Sequence, residues 1–187
     1  MNVSARLSWR RWAVGVSCCA AAAVGGAVAS GAANASAARG AAAPARCTTA
    51  HLEVWFGLGL GGGTLGSVYY PLEFSNVGHS ACTLNGYPGV SGYGNNGKAV
   101  GPPATRNGVH HGTVTLAAGA TAHAILRVVD WGALCAKEVP AAGLRVYPPG
   151  SKTSQPVPFA FGACAHRGVL VVGPVRAGVG IPGYTTS

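Results

Sequence analysis

Apolar and polar residues alternate in short runs after residue 47, which is the pattern of β-strands with one buried face. The clearest run is His51–Phe56, in which every second residue is apolar. In the next run, Val68–Ser75, Pro71 lacks a backbone N–H and therefore predicts an edge strand. The other predicted strands are Ala81–Leu84, Val90–Tyr93, Val109–Leu116, Ala120–Val129, Leu144–Tyr147, Val157–Phe161 and Val169–Val175.

Turn residues separate these runs at short intervals. Asn95-Asn96-Gly97 predicts a hairpin tip, and Leu116–Ala120 predicts a tight turn between two strands. No stretch after the N-terminal segment carries a long apolar stripe of helical period, and only Trp131–Lys137 resembles a single helical turn. We therefore expect an all-β, immunoglobulin-like antiparallel β-sandwich.

The N-terminal segment has a different composition. Three arginines precede Trp12–Ala38, a stretch without any charged residue, and this order is typical of a secretory signal peptide. Small residues allow cleavage after Ala29 or after Ala35, and we prefer the first because it leaves a shorter apolar region. Export through the general or the twin-arginine route stays open.

Composition divides the chain into four predicted segments. They are a signal peptide (1–29), a flexible Ala/Gly/Ser linker (30–46), the β-sandwich domain (47–176) and a C-terminal tail (177–187). The uncharged stretch is mostly Ala and Gly and is a weak membrane anchor. We expect no transmembrane segment in the mature form, although the sequence leaves open whether the N-terminal segment is retained as an anchor.

Four cysteines follow the predicted signal peptide. An even number in a small exported domain indicates disulfide bonds, for which three connectivities exist. We predict pairing in chain order, Cys47 with Cys82 and Cys135 with Cys164, because each pair then closes a loop of about thirty residues. The cysteines are too widely spaced for a zinc knuckle, and we expect no metal or other cofactor.

Charge excludes several functions. The chain carries 13 basic and four acidic residues, with a net charge of +9. Four carboxylates leave few ways to assemble a glycosidase pair or a calcium site. The basic residues stand singly and without interleaved aromatics, so we expect no nucleic-acid binding.

Candidate site residues are few. Tyr87, Tyr93 and Trp131 are the candidate binding surface, since aromatic side chains stack on sugars and peptides. His110 and His111 are adjacent in a predicted strand, which would place them on opposite faces and prevent shared metal binding. The glycine-rich stretch at residues 57–62 is interpreted as a flexible hairpin loop, because no helix follows it.

Several stretches together resemble a known family. They are Cys47, Tyr70-Pro-Leu-Glu-Phe-Ser-Asn76, Cys82-Thr-Leu-Asn-Gly-Tyr-Pro-Gly-Val90, Leu116-Ala-Ala-Gly119, Cys135, Leu144-Arg-Val-Tyr-Pro-Pro149, Cys164 and Val171–Val175. This pattern resembles the actinobacterial secreted family called domain of unknown function 4232. The resemblance implies export, a β-sandwich, conserved cysteines and no assigned activity.

We expect a monomeric secreted or cell-envelope-associated module that binds an envelope polymer or a protein partner without catalysis. The alternative is an extracellular hydrolase that uses a histidine together with Asp130 or Glu138. Structure separates the two hypotheses, because the hydrolase requires these groups to share a cleft. The specific ligand and the biological role stay open at this point.

Overall fold

The computed structural model describes residues 42–57, 62–130, 132 and 135–181. The predicted signal peptide, most of the predicted linker, Trp131 and residues 182–187 lie outside the described residues. A short 3₁₀ turn, Thr49–His51, precedes the first strand. The strands are β1 (Leu52–Phe56), β2 (Gly62–Thr64), β3 (Ser67–Asn76), β4 (Cys82–Asn85), β5 (Gly89–Tyr93), β6 (Ala99–Val100), β7 (Thr105–Arg106), β8 (Thr113–Leu116), β9 (Thr121–Val129), β10 (Glu138–Tyr147), β11 (Gln155–Cys164), β12 (Leu170–Val172) and β13 (Arg176–Ala177).

The strands form two main sheets and one small pair. The larger sheet has the order β1-β3-β9-β12-β7, with β2 beside β3 and β13 beside β9. The second sheet has the order β11-β10-β5-β6, and β4 pairs with β8. Among the described strands, pairing is antiparallel except between β12 and β7. The prediction of an all-β antiparallel sandwich is confirmed, and no helix of the described residues is long and apolar enough to span a membrane.

The core consists of alternate residues from both sheets. Leu72, Phe74 and Leu126 from the larger sheet are fully buried, as are Leu144 and Val146 from the smaller one. Burying each of these side chains contributes roughly 1.5–3 kcal/mol. The period of two predicted from the sequence therefore reflects one buried and one outer face on each sheet.

Gln155 connects the two sheets at the edge strand β1. Its Oε1 accepts a hydrogen bond from the Val54 backbone N–H at 2.9 Å. Its Nε2 donates to the carbonyl oxygens of Thr49 and Leu52. The Gln155 side chain thus satisfies backbone groups of β1 and of the preceding 3₁₀ turn at an edge of the larger sheet.

Both predicted disulfides are confirmed. Cys47 is bonded to Cys82, and Cys135 to Cys164. Backbone hydrogen bonds strengthen the first link, because the Cys47 N–H donates to the Thr83 carbonyl at 2.9 Å. The disulfide therefore fixes the start of the domain against β4.

The prediction that Pro71 marks an edge strand is wrong. β3 lies inside the larger sheet, between β1 and β9. The Pro71 carbonyl accepts from Gly57 N–H, just after β1 ends at Phe56. The N–H and C=O of one strand residue point to the same side, so the missing Pro71 N–H falls where β1 has already ended.

Other strand boundaries also differ from the prediction. The predicted strand Val109–Leu116 begins only at Thr113, and β10 begins six residues before the predicted Leu144. Of the predicted helical turn, residues 131, 133 and 134 lie outside the described part, and residues 136 and 137 form a bend. Both predicted turns are present: Gly97 N–H donates to Gly94 at 2.8 Å, and Ala120 N–H to Ala117 at 3.1 Å.

Candidate functional site

A groove of about 500 Å³ crosses the outer face of the larger sheet. Strand register places a row of side chains across it, in which Arg127 of β9 lies between Tyr69 of β3 and Val171 of β12. Thr105 of β7 pairs with Val171 and ends the row. Through its parallel pairing with β12, β7 therefore adds Thr105 to the groove that the longer strands β3 and β9 also line.

Arg127 is the central polar residue of this groove. The residue is half-buried, and its Nε atom is buried without a hydrogen-bond partner among the described residues. Arg106 and Asn107 line the same groove, and the described lining includes no acidic residue. Gly173 also lines the groove, where the absence of a side chain leaves room beside Asn107. We call the groove lined by Tyr69, Thr105, Arg106, Asn107, Ile125, Arg127, Val171 and Gly173 the Arg127 groove.

Tyr87, the first of the predicted binding residues, stands beside this groove. The Arg106 guanidinium carbon lies 5.4 Å from the centre of the Tyr87 ring, within cation–π range. The Tyr87 hydroxyl donates to the Val109 carbonyl, and the His111 ring meets the Tyr87 ring edge-on at 5.6 Å. Tyr87 thus braces the loop at residues 107–112 and holds Arg106 at the same time.

The prediction that His110 and His111 point to opposite faces is wrong. They lie in a loop and not in a strand, and their rings stand nearly parallel with centres 6.2 Å apart. The Arg176 guanidinium donates to the His110 carbonyl at 2.6 Å. Basic side chains from three places therefore lie near Tyr87: Arg106 of β7, Arg176 of β13 and the histidines of this loop.

Tyr93 belongs to the other sheet. Its ring lies directly over Gly143, its cross-strand neighbour in β10. The Arg145 guanidinium lies 5.4 Å from the Tyr93 ring centre. The structure thus gives Tyr87 and Tyr93 separate sets of neighbours, and Trp131, the third predicted residue, lies outside the described part of the chain.

A buried carboxylate and histidine form a second polar feature of the larger sheet. Glu73 of β3 pairs in register with His123 of β9, and they are 0% and 3% exposed. Residues after β13 cover them. Gly180 N–H donates to Glu73 Oε1 at 2.7 Å, and His123 Nδ1 contacts the Gly178 carbonyl at 2.9 Å. The start of the predicted tail is therefore part of the fold and closes over this pair.

Burial shifts the pKa of Glu73. Desolvation raises the pKa of its carboxyl group above the usual 4.5, while the Gly180 hydrogen bond and the charge of His123 oppose that rise. Its Oε2 has no hydrogen-bond partner among the described residues, which is consistent with an unfavourable ionised form. Ionisation of the Glu73 carboxyl group is thus unfavourable in the folded protein compared with the unfolded chain.

This cost predicts a pH dependence of stability. A raised pKa in the folded state means that Glu73 stabilises the fold fully below its unfolded pKa, and that this contribution is lost as pH rises through the folded value. We expect Glu73→Gln to remove that decline, measured by urea unfolding from pH 4 upwards. Glu53→Gln, on the exposed part of β1, is the control. Equal pH profiles for wild type and Glu73→Gln would contradict the prediction.

Asp130 and Glu138, the acids of the hydrolase hypothesis, line one cleft of about 340 Å³ beside the Cys135–Cys164 disulfide. No histidine belongs to the described lining of that cleft. Asp130 Oδ1 is already used, because it accepts from Gly132 N–H at 2.8 Å. The structure therefore brings the two acids together and leaves the histidine of that hypothesis elsewhere.

Sequence reasoning missed the central residues of both polar features. Arg127 alternates with core residues in β9, so a period-two pattern assigns it to an outer face without indicating a groove. Glu73 has the same outward position, and the chain after β13 covers it there. The signal that was present, alternation, gives the face of each residue but not its neighbours across strands.

Comparison with known protein families finds a match for the domain. Residues 47–176 match the model of a family described as "Domain of unknown function (DUF4232)". A search of curated proteins and a search of solved structures found no match. The matched region ends at the first residue of β13, so the segment that covers Glu73 follows it.

Proposed function

The chain belongs to this family of domains of unknown function, and from that premise we propose that it is a secreted or cell-envelope-associated module that binds an envelope component without catalysis. Its two disulfides support an oxidising compartment outside the cytoplasm. The predicted signal peptide supports the same location.

One observation carries the proposal of binding. Basic groups converge on one side of the larger sheet, where Arg106 lines the Arg127 groove and also contacts the Tyr87 ring. We call this surface the basic face, and it consists of the Arg127 groove, Tyr87, Arg176 and the loop at residues 107–112. Its described residues include no acid. A donor-rich surface of this kind suits the phosphate and carboxylate groups of envelope polymers.

The polar groups elsewhere support a non-catalytic role. Glu73 and His123 are the carboxylate and imidazole that the fold brings together, but their burial keeps a substrate away from them. The cleft of Asp130 and Glu138 has no described histidine. General acid–base catalysis needs a group within hydrogen-bond reach of the reacting atom, and neither place meets that need with the predicted partners.

Co-sedimentation tests the proposal. The purified mature domain is mixed with isolated cell envelopes and with purified peptidoglycan, at low and at high salt. We expect binding that persists at high salt, because a desolvated contact is screened much less than an exposed charge. Absence of binding to both preparations at both salt concentrations would contradict the proposal.

A pair of double variants separates recognition from net charge. Arg106→Gln with Arg127→Gln removes two positive charges from the basic face. Lys98→Gln with Lys152→Gln removes two from exposed loops of the smaller sheet. We expect the salt-resistant fraction to disappear in the arginine variant and to remain in the lysine variant. Equal loss in both would mean that charge alone drives the binding.

A further inference from the structure

The Arg127 side chain has an unmet hydrogen-bonding need. Its Nε is buried without a partner in the described chain, between the cross-strand neighbours Tyr69 and Val171. An unpaired buried donor is costly, and such atoms are few in native proteins. Arg127 also lines the groove, and because a guanidinium is a cationic donor without acceptor atoms, the ligand that suits it best is an anion.

The rest of the Arg127 groove presents further donors. Arg106 supplies a second guanidinium, and Thr105 supplies a hydroxyl. The Asn107 Oδ1 is occupied, because it accepts from Val109 N–H at 3.1 Å, and this leaves its Nδ2 on the side of Gly173. A groove with two guanidinium groups, an amide donor and no acid among its described lining matches an oxyanion.

The dimensions of the groove exceed those of a single small ion. Its volume of about 500 Å³ lies within the usual range of sites for small organic molecules. Tyr69, Ile125 and Val171 are half-buried and give it partly apolar walls. An aromatic wall of this kind suits the apolar face of a sugar ring.

We propose that the Arg127 groove binds an acidic sugar, whose phosphate or carboxylate group pairs with Arg127 and Arg106 while the ring contacts Tyr69. This inference rests on the proposed function and names the chemical class of its ligand. Phosphate and carboxylate each present a pair of oxygen atoms that a guanidinium can bind in a bidentate manner. A phosphorylated sugar and a sugar with a carboxylate would belong to different envelope polymers.

Calorimetric titration of the mature domain with four probes tests the class of ligand. The probes are glucose 6-phosphate, glucuronate, inorganic phosphate and glucose, all at one ionic strength. We expect one or both acidic sugars to bind more tightly than inorganic phosphate, and glucose not to bind. The tighter acidic sugar identifies the phosphate or the carboxylate source. Binding of neither acidic sugar, or binding no tighter than that of inorganic phosphate, would overturn the inference.

Three variants locate the site. Arg127→Lys keeps the charge but loses the planar fork, and we expect affinity to fall about tenfold. Gly173→Ala keeps both arginines and adds a methyl group 3.3 Å from Asn107 Nδ2, and we expect it to weaken binding too. Lys152→Gln, exposed on the smaller sheet, is expected to bind as wild type. Thermal unfolding shows whether each variant is folded. If Arg127→Lys does not fold, the affinity of Gly173→Ala alone tests the site. Wild-type affinity in Gly173→Ala and in a folded Arg127→Lys would overturn the inference.

The outcomes distinguish this inference from the proposed function. If the domain co-sediments with envelopes at high salt but binds no acidic sugar, the ligand class is wrong and the binding function stands. If acidic sugars bind but envelopes do not, the groove is an oxyanion site without the proposed role in the envelope. If glucose 6-phosphate or glucuronate displaces the domain from envelopes, both are supported.

Discussion

Replacing both Cys47 and Cys82 with alanine is expected to lower the free energy of unfolding by about 4 kcal/mol. The disulfide closes a loop with a sequence separation of 35 residues, and in the chain-entropy model a loop of that length restricts the unfolded chain by about this amount. Small domains are stable by only about 5–15 kcal/mol. The variant should therefore unfold at much lower urea concentrations.

The other disulfide provides the comparison. Cys135 and Cys164 are separated by 29 residues, so their replacement with alanine should cost nearly as much, about 3.5 kcal/mol. Urea unfolding of the oxidised wild type and of both variants measures the two values. A loss below about 1 kcal/mol in the Cys47–Cys82 variant would show that its backbone hydrogen bonds to β4 hold the N-terminus without the covalent link.

Asn76→Ala is expected to cost about 3 kcal/mol. Asn76 is 1% exposed at the end of β3. Its Nδ2 lies 2.9 Å from the Ser80 carbonyl, 3.2 Å from that of Leu116 and 3.1 Å from that of Ala117. Its Oδ1 accepts from Gly78 N–H at 3.0 Å. One amide thus satisfies two turns, and alanine would leave buried backbone groups unpaired at a cost of roughly 1–3 kcal/mol each.

Asn85→Ala is the matched control for this prediction. The Asn85 Nδ2 donates to Thr113 Oγ1 at 2.8 Å on the surface, where water replaces the lost partner. We expect a change of about 0.5 kcal/mol or less, as for most surface substitutions. The two urea midpoints give the comparison, and similar losses would mean that burial of the Asn76 amide does not determine its contribution.

Alternation in the sequence predicted the long strands β3 and β9 well, because their buried and outer positions differ in residue type. The predicted Val68–Ser75 is one residue shorter than β3 at each end, and the predicted Ala120–Val129 begins one residue before β9. The disulfide pairing also followed from chain order. These features depend on local pattern and on cysteine number, which are properties that a sequence displays directly.

Features that depend on pairing partners were not predictable. β7 has only two residues and forms through parallel pairing with β12, so it has no period of its own. The first half of β10 contains Glu138 and Pro140 and lacks a clear alternation, but its pairing with β11 keeps it extended. Pro71 was misplaced for the same reason, because its tolerance depends on where β1 ends.

The candidate site was only partly predictable. Tyr87 was selected from the sequence and lies on the basic face, whereas Tyr93 packs on the smaller sheet. Arg106 and Arg127 are single charges twenty-one positions apart, and only the β9-β12-β7 order places them in one groove. Likewise, Glu73 reads as a surface acid until the chain after β13 covers it.

The most direct test of the binding function is a two-dimensional NMR map of amide shifts in the mature domain mixed with solubilised envelope polymer. We expect the largest changes in the Arg127 groove, at Tyr69, Arg106, Arg127 and Gly173. Amides of the smaller sheet near Tyr93 should change little. Changes centred on the smaller sheet, or no change in the groove at polymer concentrations that saturate co-sedimentation, would contradict this expectation.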